Sequence, residues 1–298
     1  MKLFLAGADT RQHLQQIYIS NHSCILSSYY KHQKTFVQDW LWWYNKTRHA
    51  NWIMDSGLFT MMFGAGSHKK YNEQDLLQYT HKYLKDIKKI NYTHDIVEMD
   101  VHKVLGLSAL KRFRKIFEKS YPIEKTIFVW HIEEQLSGFK KLCKKYPYIA
   151  ISVPELRIVL KGKASLFKFV YSLIHLANKI NPNIKIHLLG CTQQNLMEQP
   201  GYYSCDSTSW IASERYGNGY LFQGSKLIQT KKKSKLWKQV VNNNMKNFLH
   251  QTSKLNSKGY YTDLNYHISG YICAKAFSQL NKYINNKYYN YEPIKKLY

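Results

Sequence analysis

The sequence predicts an α/β protein: a (β/α)8 barrel of the TIM type followed by a basic, mainly helical C-terminal extension. The first observation behind this prediction is that short, apolar, β-rich runs alternate with longer stretches of helical periodicity. The second is that the alternation occurs eight times, which is the strand number of this barrel. A doubly wound open sheet is built from the same alternation and is the alternative.

Eight runs are predicted as strands, each ending at or followed by a polar residue or a glycine. In chain order they span residues 3–6, 25–28, 52–55, 95–100, 127–131, 148–152, 185–190 and 202–206. The segments between them are predicted as amphipathic helices. The clearest helix follows Asn72, and two others cover residues 104–119 and 166–180, whereas the connection from 191 to 200 has little room for one.

In a barrel of this type, catalytic side chains come from the C-terminal ends of the strands. From the third strand onward, the predicted ends are Asp55, Asp100, His131, Ser152, Gly190 and Asp206. Three of these six are aspartates, in a chain with only 19 acidic residues among 298. One such Asp is equally well explained as the N-cap of the next helix, but three on one rim favour a site built from carboxylates.

Four segments resemble motifs of the tRNA-guanine transglycosylase superfamily. Residues 54–59, Met-Asp-Ser-Gly-Leu-Phe, resemble its DSGGF motif, and residues 95–100 look like its strand that ends in a base-reading Asp. Residues 187–190, His-Leu-Leu-Gly, are similar to its HLMG-type strand, and Cys205-Asp206-Ser207 to the strand that ends in its nucleophilic Asp. The resemblance covers about residues 50 to 215 and depends on the order of the segments and their common position at strand ends.

The resemblance implies a base exchange, in which guanine leaves a nucleotide and a 7-deazaguanine derivative takes its place. Asp206 is implied as the nucleophile that traps the sugar as a covalent ester, and Asp55 is the candidate acid and base. Asp100 would accept hydrogen bonds from N–H groups of the base. The further candidates for contact with the base are Ser56, Phe59, His131, Ser152 and Gly190, with Phe59 stacking and His131 hydrogen-bonded to the purine carbonyl.

The chain departs from the family's tRNA enzymes in two ways. Their Cys-x-Cys-x2-Cys zinc site with a later His is missing from the sequence, so neither a metal nor another cofactor is expected. Where the family has a base-reading Gln, this chain has Val129-Trp130-His131. Small zinc-less relatives in phages and bacteria place 7-deazaguanine derivatives into DNA. The likeness to them favours DNA over tRNA and a base such as preQ0, and because many relatives dimerise, a homodimer is a candidate assembly.

The charge of the chain favours a polyanionic partner. Its 44 Lys and Arg residues face 19 Asp and Glu, a formal net charge of +25. Since 38 of the basic residues are Lys, part of this excess is also what an AT-rich genome would supply. Residues 1–224 are predicted as the barrel and residues 225–298, with fourteen Lys, as a helical region packed on it that clamps nucleic acid. The residues expected to contact nucleic acid are Lys231, Lys232, Lys233, Lys235 and Arg215.

Other compartments and site types find little support in the sequence. No apolar run approaches the ~20 residues that span a bilayer, so no membrane partner is expected. The five cysteines are scattered, without a CxxC pair or a disulfide framework. Together with a start that turns polar too early for a secretory signal, this favours the cytoplasm of a bacterial or phage-infected cell.

Three other functions compete with exchange of a base in DNA. The same aspartates could act on tRNA, which nothing in the sequence excludes. The chain could also be a catalytically silent nucleic-acid-binding subunit, although such a subunit has no physical need for two carboxylates on one rim. A glycosidase with a carboxylate pair in a barrel is the third, but it would not require a charge of +25.

Overall fold

The computed structural model describes residues 1–47, 50–63, 71–160, 162–211, 216–255 and 264–289. It contains a closed barrel of eight parallel strands, which confirms the predicted fold class and excludes the open sheet. The strands, β1 to β8 in chain order, are Lys2–Ala6, Cys24–Ser28, Asn51–Asp55, Asp95–Val97, Thr126–Trp130, Tyr148–Ser152, Lys185–Leu189 and Ser204–Ser207. All eight predicted strands are present, and only β4 differs by more than two residues from its predicted bounds.

The barrel closes because β1 pairs in parallel with both β2 and β8. In this register Phe4 of β1 is the partner of Asp206 in β8, and Ser28 of β2 is the partner of Asp55 in β3. Since all strands run in the same direction, their C-terminal ends form one rim. The ends of β3 and β8 therefore lie on the same side of the molecule, and two strands, β1 and β2, lie between them.

Strand β4 ends three residues earlier than predicted because the β4–β5 ladder stops at Glu98, whose N–H still donates to the Ile127 carbonyl at 3.1 Å but whose side chain replaces its carbonyl as the next acceptor. Its side chain is buried, and its carboxylate accepts the Val129 N–H at 2.8 Å, a donor that a continued strand pairing would use. The same carboxylate accepts a hydrogen bond from Nε of Arg114 at 3.1 Å. The chain thus turns away from the strand before it reaches Asp100.

Helices connect the strands and cover the barrel. In chain order, α1 to α12 are Arg11–Ile19, Tyr29–His32, Phe36–Thr47, Leu58–Phe63, Glu73–Lys89, His102–Ser120, Gln135–Lys145, Val153–Val159, Lys163–Ile180, Gln194–Met197, Lys235–Ser253 and Leu264–Ile284. The helix predicted after Asn72 is α5, whose first turn is closed by a capping box between Asn72 and Asp75. The short connection before β8 holds only α10, a single turn, as its length predicted.

Two apolar layers hold the barrel together, because successive side chains of a strand point to opposite faces. Inside the barrel, Phe4, Ile53, Val97 and Ile127 belong to one buried cluster. Outside, residues of opposite parity such as Trp52 pack against the helices in a larger cluster. Since buried apolar side chains line the interior, the polar side chains at the rim are the candidates for chemistry.

The C-terminal region adds a β-hairpin and two helices. Strands β9, Asn218–Gln223, and β10, Lys226–Lys231, are antiparallel, and the boundary predicted between residues 224 and 225 lies in the turn that joins them. Helix α12 packs on α1, β1 and β9, where a barrel of this type has the helix that follows its eighth strand. A side chain at Gly270 would collide with Gln16 of α1, which shows how closely the two helices approach. None of the described helices combines the length and the apolar character needed to cross a bilayer.

Candidate active site

Four aspartates meet at the C-terminal rim: Asp9 after β1, Asp55 at the end of β3, Asp100 after β4 and Asp206 in β8. Burial, then the negative charge of Asp206, then that of Asp9 raise the pKa of Asp55 to about 7. Burial and the neighbouring charge of Asp55 raise the pKa of Asp100 well above its ordinary value. The structure thus brings the three predicted aspartates together and adds a fourth, Asp9.

Asp55 is placed by the tight turn that joins β3 to α4. The backbone N–H groups of Gly57 and Ser56 donate hydrogen bonds to its carboxylate and oppose the rise of its pKa. Gly57 has a φ of +81°, and a Cβ at this position would lie 2.3 Å from Oγ of Ser28, so only glycine fits. Tyr79 of α5 fastens the turn by donating a hydrogen bond to the Ser56 carbonyl at 2.7 Å.

The two carboxylate oxygens of Asp206 lie in different environments. Its Oδ1 accepts hydrogen bonds from the Gly190 N–H at 2.8 Å and lies 3.2 Å from Nε2 of His187. Among the described residues no hydrogen-bond partner of Oδ2 is found. Gly190 has a φ of +60°, and a Cβ there would lie 2.6 Å from Cγ of Pro154, so this amide also depends on a glycine. The carboxylate is therefore oriented through one oxygen and presents the other.

A buried polar chain continues from Asp206 into the barrel interior. Nδ1 of His187 lies 2.7 Å from Oγ of Ser204, and Oγ of Ser204 lies 2.7 Å from the hydroxyl of Tyr148. The side chains of Tyr148, His187 and Ser204 are fully buried. Because β6, β7 and β8 are neighbours in the barrel, three strands contribute to this one chain.

On the opposite part of the rim, His131 is buried beside Glu155. Its Nδ1 lies 3.1 Å from Oε2 of Glu155, whereas its Nε2 has no hydrogen-bond partner among the described residues. Burial outweighs the neighbouring carboxylates and lowers the pKa of His131. The neutral ring then keeps its proton on Nδ1, where Glu155 accepts it, and Nε2 carries a lone pair.

Glu155 remains ionised because cations and imidazoles surround it. Nζ of Lys103 is 3.2 Å from its Oε1, and Nε2 of His102 is 3.5 Å from the same oxygen. Although burial opposes them, the neighbouring rings of His102 and His131 lower the pKa of Glu155. This fixed charge sets the tautomer of His131.

Around His131 and Glu155, two groups of side chains have atoms of the kinds that bind metals. Asp100, His102 and His131 form one group and His102, Glu133 and Glu155 the other, and within each group the ligand atoms lie within 4.8 Å of one another. The rings of His102 and His131 are stacked, with centroids 3.4 Å apart and planes 22° apart. Lone pairs of two stacked rings run side by side and do not converge, so a shared ion would require the rings to turn.

A second buried ion network lies just below the rim and holds the barrel to its helices. Arg114 of α6 donates hydrogen bonds to Glu98, to the Val129 carbonyl at 2.6 Å and to Glu134 at 2.6 Å. Burial raises the pKa of Glu98 to about 7, although Arg114 and the Val129 N–H oppose the rise. Each of the three guanidinium nitrogens of Arg114 donates within the protein, which is the pattern of a structural group.

The other four residues predicted to contact the base differ in exposure and in hydrogen bonding. Ser56 is buried, and the hydroxyl of Ser152 caps α8 by accepting the Glu155 N–H at 3.4 Å. Phe59 is 74% exposed on the first turn of α4, immediately beyond Asp55. The Gly190 N–H is occupied by Asp206. Of these four residues, Phe59 alone presents a large surface to solvent beside the aspartates.

The predicted nucleic-acid contacts lie at one end of the hairpin. Lys231, Lys232, Lys233 and Lys235 form what we term the lysine cluster; Lys232 is partly exposed and the other three are exposed. Lys231 pairs with Asn218, so the cluster lies at the end of the hairpin joined to the chain that leaves β8 at the rim. Arg215, the fifth predicted contact, falls outside the described residues.

Sequence reasoning missed five side chains of this site, namely Asp9, Tyr148, Glu155, His187 and Ser204. Asp9 was missed because it follows the end of β1 by three residues. Tyr148, His187 and Ser204 occupy inward-facing positions of neighbouring strands, and their parity was a usable signal once the barrel was assumed. Glu155 lies in the first turn of a helix, where a carboxylate is ordinary.

No protein-family model matches the chain, and no curated protein matches it either. The likeness to the transglycosylase superfamily therefore depends on the motifs and on where the barrel places them.

Proposed function

We propose that the chain is a base-exchange transglycosylase that replaces guanine in nucleic acid, in the first place DNA, with a 7-deazaguanine derivative such as preQ0. The observation that carries the proposal is the unequal environment of two carboxylates on one rim. Asp55 has a pKa raised to about 7, whereas Asp206 accepts a backbone N–H and presents a second oxygen that no described residue contacts by a hydrogen bond. Pairs of titratable groups held in different environments are typical of acid and nucleophile.

In the first half of the reaction, Oδ2 of Asp206 attacks C1′ of the target nucleotide. The C1′–O bond forms, the C1′–N9 bond breaks, and guanine leaves with the electron pair while protonated Asp55 supplies a proton. In the second half, ionised Asp55 takes the N9 proton of the incoming base, N9 bonds to C1′, and Asp206 is released as a carboxylate. A pKa of about 7 suits Asp55 to both tasks near neutral pH.

The cluster around Asp100 supports a purine as the base. Nε2 of His131 is an acceptor for which no described residue supplies a donor, and the Asp100 carboxylate, which receives a hydrogen bond from its own backbone N–H, lies within 4.8 Å as a second acceptor. Guanine and 7-deazaguanines share an edge made of N–H groups, which supplies the donors. We therefore assign His131 to an N–H group of the base, because the lone pair at Nε2 accepts; a carbonyl, the partner expected from the sequence, would need a donor there.

Two further features support a nucleic acid as the substrate. The exposed ring of Phe59 can stack on a base that has left its helix. The lysine cluster has no ion pair with a described residue, so its charges are available to phosphates. Such a reaction belongs in the cytoplasm of a bacterial or phage-infected cell, where DNA and precursor bases are present.

The test is the exchange of labelled guanine into DNA and into unmodified tRNA by the purified chain, with Asp206→Asn as the matched control. We expect label to enter DNA, and a covalent protein–DNA adduct to appear on acid quenching, with neither in the variant. Nucleoside mass spectrometry after addition of preQ0 then identifies the inserted base. Label in tRNA alone would show that the substrate is tRNA and not DNA. The absence of both label and adduct with DNA and with tRNA would exclude the proposal.

A further inference from the structure

The buried chain of Tyr148, Ser204, His187 and Asp206 has only one arrangement of protons that leaves no donor unused. The Tyr148 hydroxyl has Ser204 as its one partner among the described residues, so it donates to Oγ of Ser204. Ser204 has a single proton, which it donates to Nδ1 of His187. His187 is then neutral with its proton on Nε2, and it donates to Oδ1 of Asp206.

The other arrangements each leave a defect in a dry interior. With the proton on Nδ1 alone, Nε2 of His187 would present a lone pair to the Asp206 carboxylate at 3.2 Å. With both ring nitrogens protonated, Ser204 would accept from His187 and from Tyr148 and its own proton would have no acceptor. Burial keeps the Tyr148 hydroxyl protonated, since it raises the pKa of that residue well above its ordinary value.

We propose that His187 is a positioning residue for Asp206, with its tautomer set by Ser204 and Tyr148, and that it speeds release of the sugar from the covalent intermediate. The inference rests on the function proposed above. It assigns to three residues of the barrel interior a role that none of the quoted motifs describes. Of these three residues, only His187 lies within a quoted motif, the HLMG-type strand of residues 187–190.

The proposed effect differs between the two half-reactions. When Oδ2 of Asp206 forms the ester, its negative charge disappears and Oδ1 becomes a carbonyl oxygen. When the C1′–Oδ2 bond breaks in the second half, the electron pair returns to the carboxylate and the charge reappears, shared with Oδ1. The N–H groups of His187 and Gly190 bind the charged form more strongly than the ester, so they favour breakdown of the intermediate.

Four substitutions separate this role from general support of the fold. His187→Leu removes the donor, and His187→Gln is its matched control because the amide places an N–H near the position of Nε2. Ser204→Ala and Tyr148→Phe leave the donor in place and remove only what sets the tautomer. All four are measured by exchange of labelled guanine and by the fraction of enzyme held as covalent adduct at steady state.

We expect His187→Leu to lower kcat by about 10²-fold or more while the adduct fraction rises, because breakdown slows more than formation. Ser204→Ala should act in the same direction less strongly, Tyr148→Phe least, and His187→Gln should stay close to the wild type. The proposal is overturned if His187→Leu lowers formation and breakdown equally, or if His187→Gln is as damaged as His187→Leu.

Failure of the proposed function is recognised separately, because the wild type would then exchange no base and form no adduct. The tautomer is measurable without activity: ¹⁵N chemical shifts, assigned by difference from His187→Gln, should show a neutral ring with the proton on Nε2. A ring protonated on Nδ1, or on both nitrogens, in the wild type would overturn the proposal even if base exchange is found.

Discussion

The acidic groups on the two sides of the rim lie in different environments. On the β8 side, Asp206 receives a backbone N–H from Gly190 and is backed by His187 and the buried chain beyond it. On the β3 to β5 side, Asp55 and Asp100 lie among other carboxylates, and burial raises the pKa of both. Both sides provide backbone N–H donors for a carboxylate, Gly190 for Asp206 and Ser56 with Gly57 for Asp55, but the second side also holds Nε2 of His131, an acceptor without a donor among the described residues.

This contrast separates polar groups whose hydrogen bonds the protein itself supplies from groups whose hydrogen bonds a ligand could supply. A buried acceptor without a donor costs about 1–3 kcal/mol, so it persists where something else supplies the donor. In the proposed reaction, the N–H groups of the incoming base would meet that need beside Asp100 and His131. Asp206 needs no ligand to be oriented, because the Gly190 N–H and His187 of the barrel orient it.

Asp55→Asn is expected to have the largest effect on the acceptor-rich side, a loss of about 10²- to 10⁴-fold in exchange. Since Asp55 must be protonated when guanine leaves, adduct formation by the wild type should fall as the pH rises above its pKa of about 7. The measurement is the rate of adduct formation between pH 5 and 9. A variant that retained this pH dependence would assign the acid to another residue, of which Asp9 and Asp100 are the nearest.

His131→Phe should raise KM for the free base by about 10- to 100-fold, because one buried acceptor is lost. Phe retains a ring to stack on His102, so packing is largely kept. Adduct formation with guanine already in the nucleic acid should change less than KM for the incoming base. An unchanged KM would show that the lone pair of His131 does not meet the base.

Replacing the lysine cluster by alanine should weaken nucleic-acid binding and reduce the slope of log Kd against log salt by up to about 3–4 units. The matched control removes Lys140, Lys141, Lys144 and Lys179, four exposed lysines on α7 and α9 with no ion pair to a described residue. The slope is measured by fluorescence anisotropy with labelled single-stranded DNA. Equal slopes for both variants would show that binding depends on the net charge of the protein and not on the lysine cluster.

The smallest expected effect is on stability. The folded protein keeps Asp55 protonated up to a pH of about 7, whereas the unfolded chain ionises it near its ordinary value of 3.8. The folded state therefore binds more protons between these values, and this residue's contribution to stability falls as the pH rises through that window. Asp55→Asn should raise Tm by a few degrees at pH 8 and by much less at pH 4, in calorimetric scans. An equal change at both values would indicate that Asp55 is ionised in the folded protein.

Much of the fold was predictable because it depends on local patterns. Alternating parity and helical spacing located all eight strands, and the ends of β3 and β8 carried Asp55 and Asp206 as predicted. The end of β4 was not predictable, since the β4–β5 ladder stops at Glu98 only because Arg114 and the Val129 N–H are brought to its carboxylate. The hairpin that spans the predicted domain boundary was likewise missed, because residues 218–231 show no strong alternation of apolar and polar residues.

Local patterns in the sequence specified the barrel and three of the four aspartates at its rim, because periodicity and strand ends are properties of neighbouring residues. Which acid is oriented, and which has a raised pKa, follows from the folded structure. Those properties depend on residues far apart in the chain: Gly190 and His187 donate to Asp206, and Asp206 in turn acts on Asp55. Electrostatic energy depends on distance through space and on burial, and neither can be read from positions along a chain.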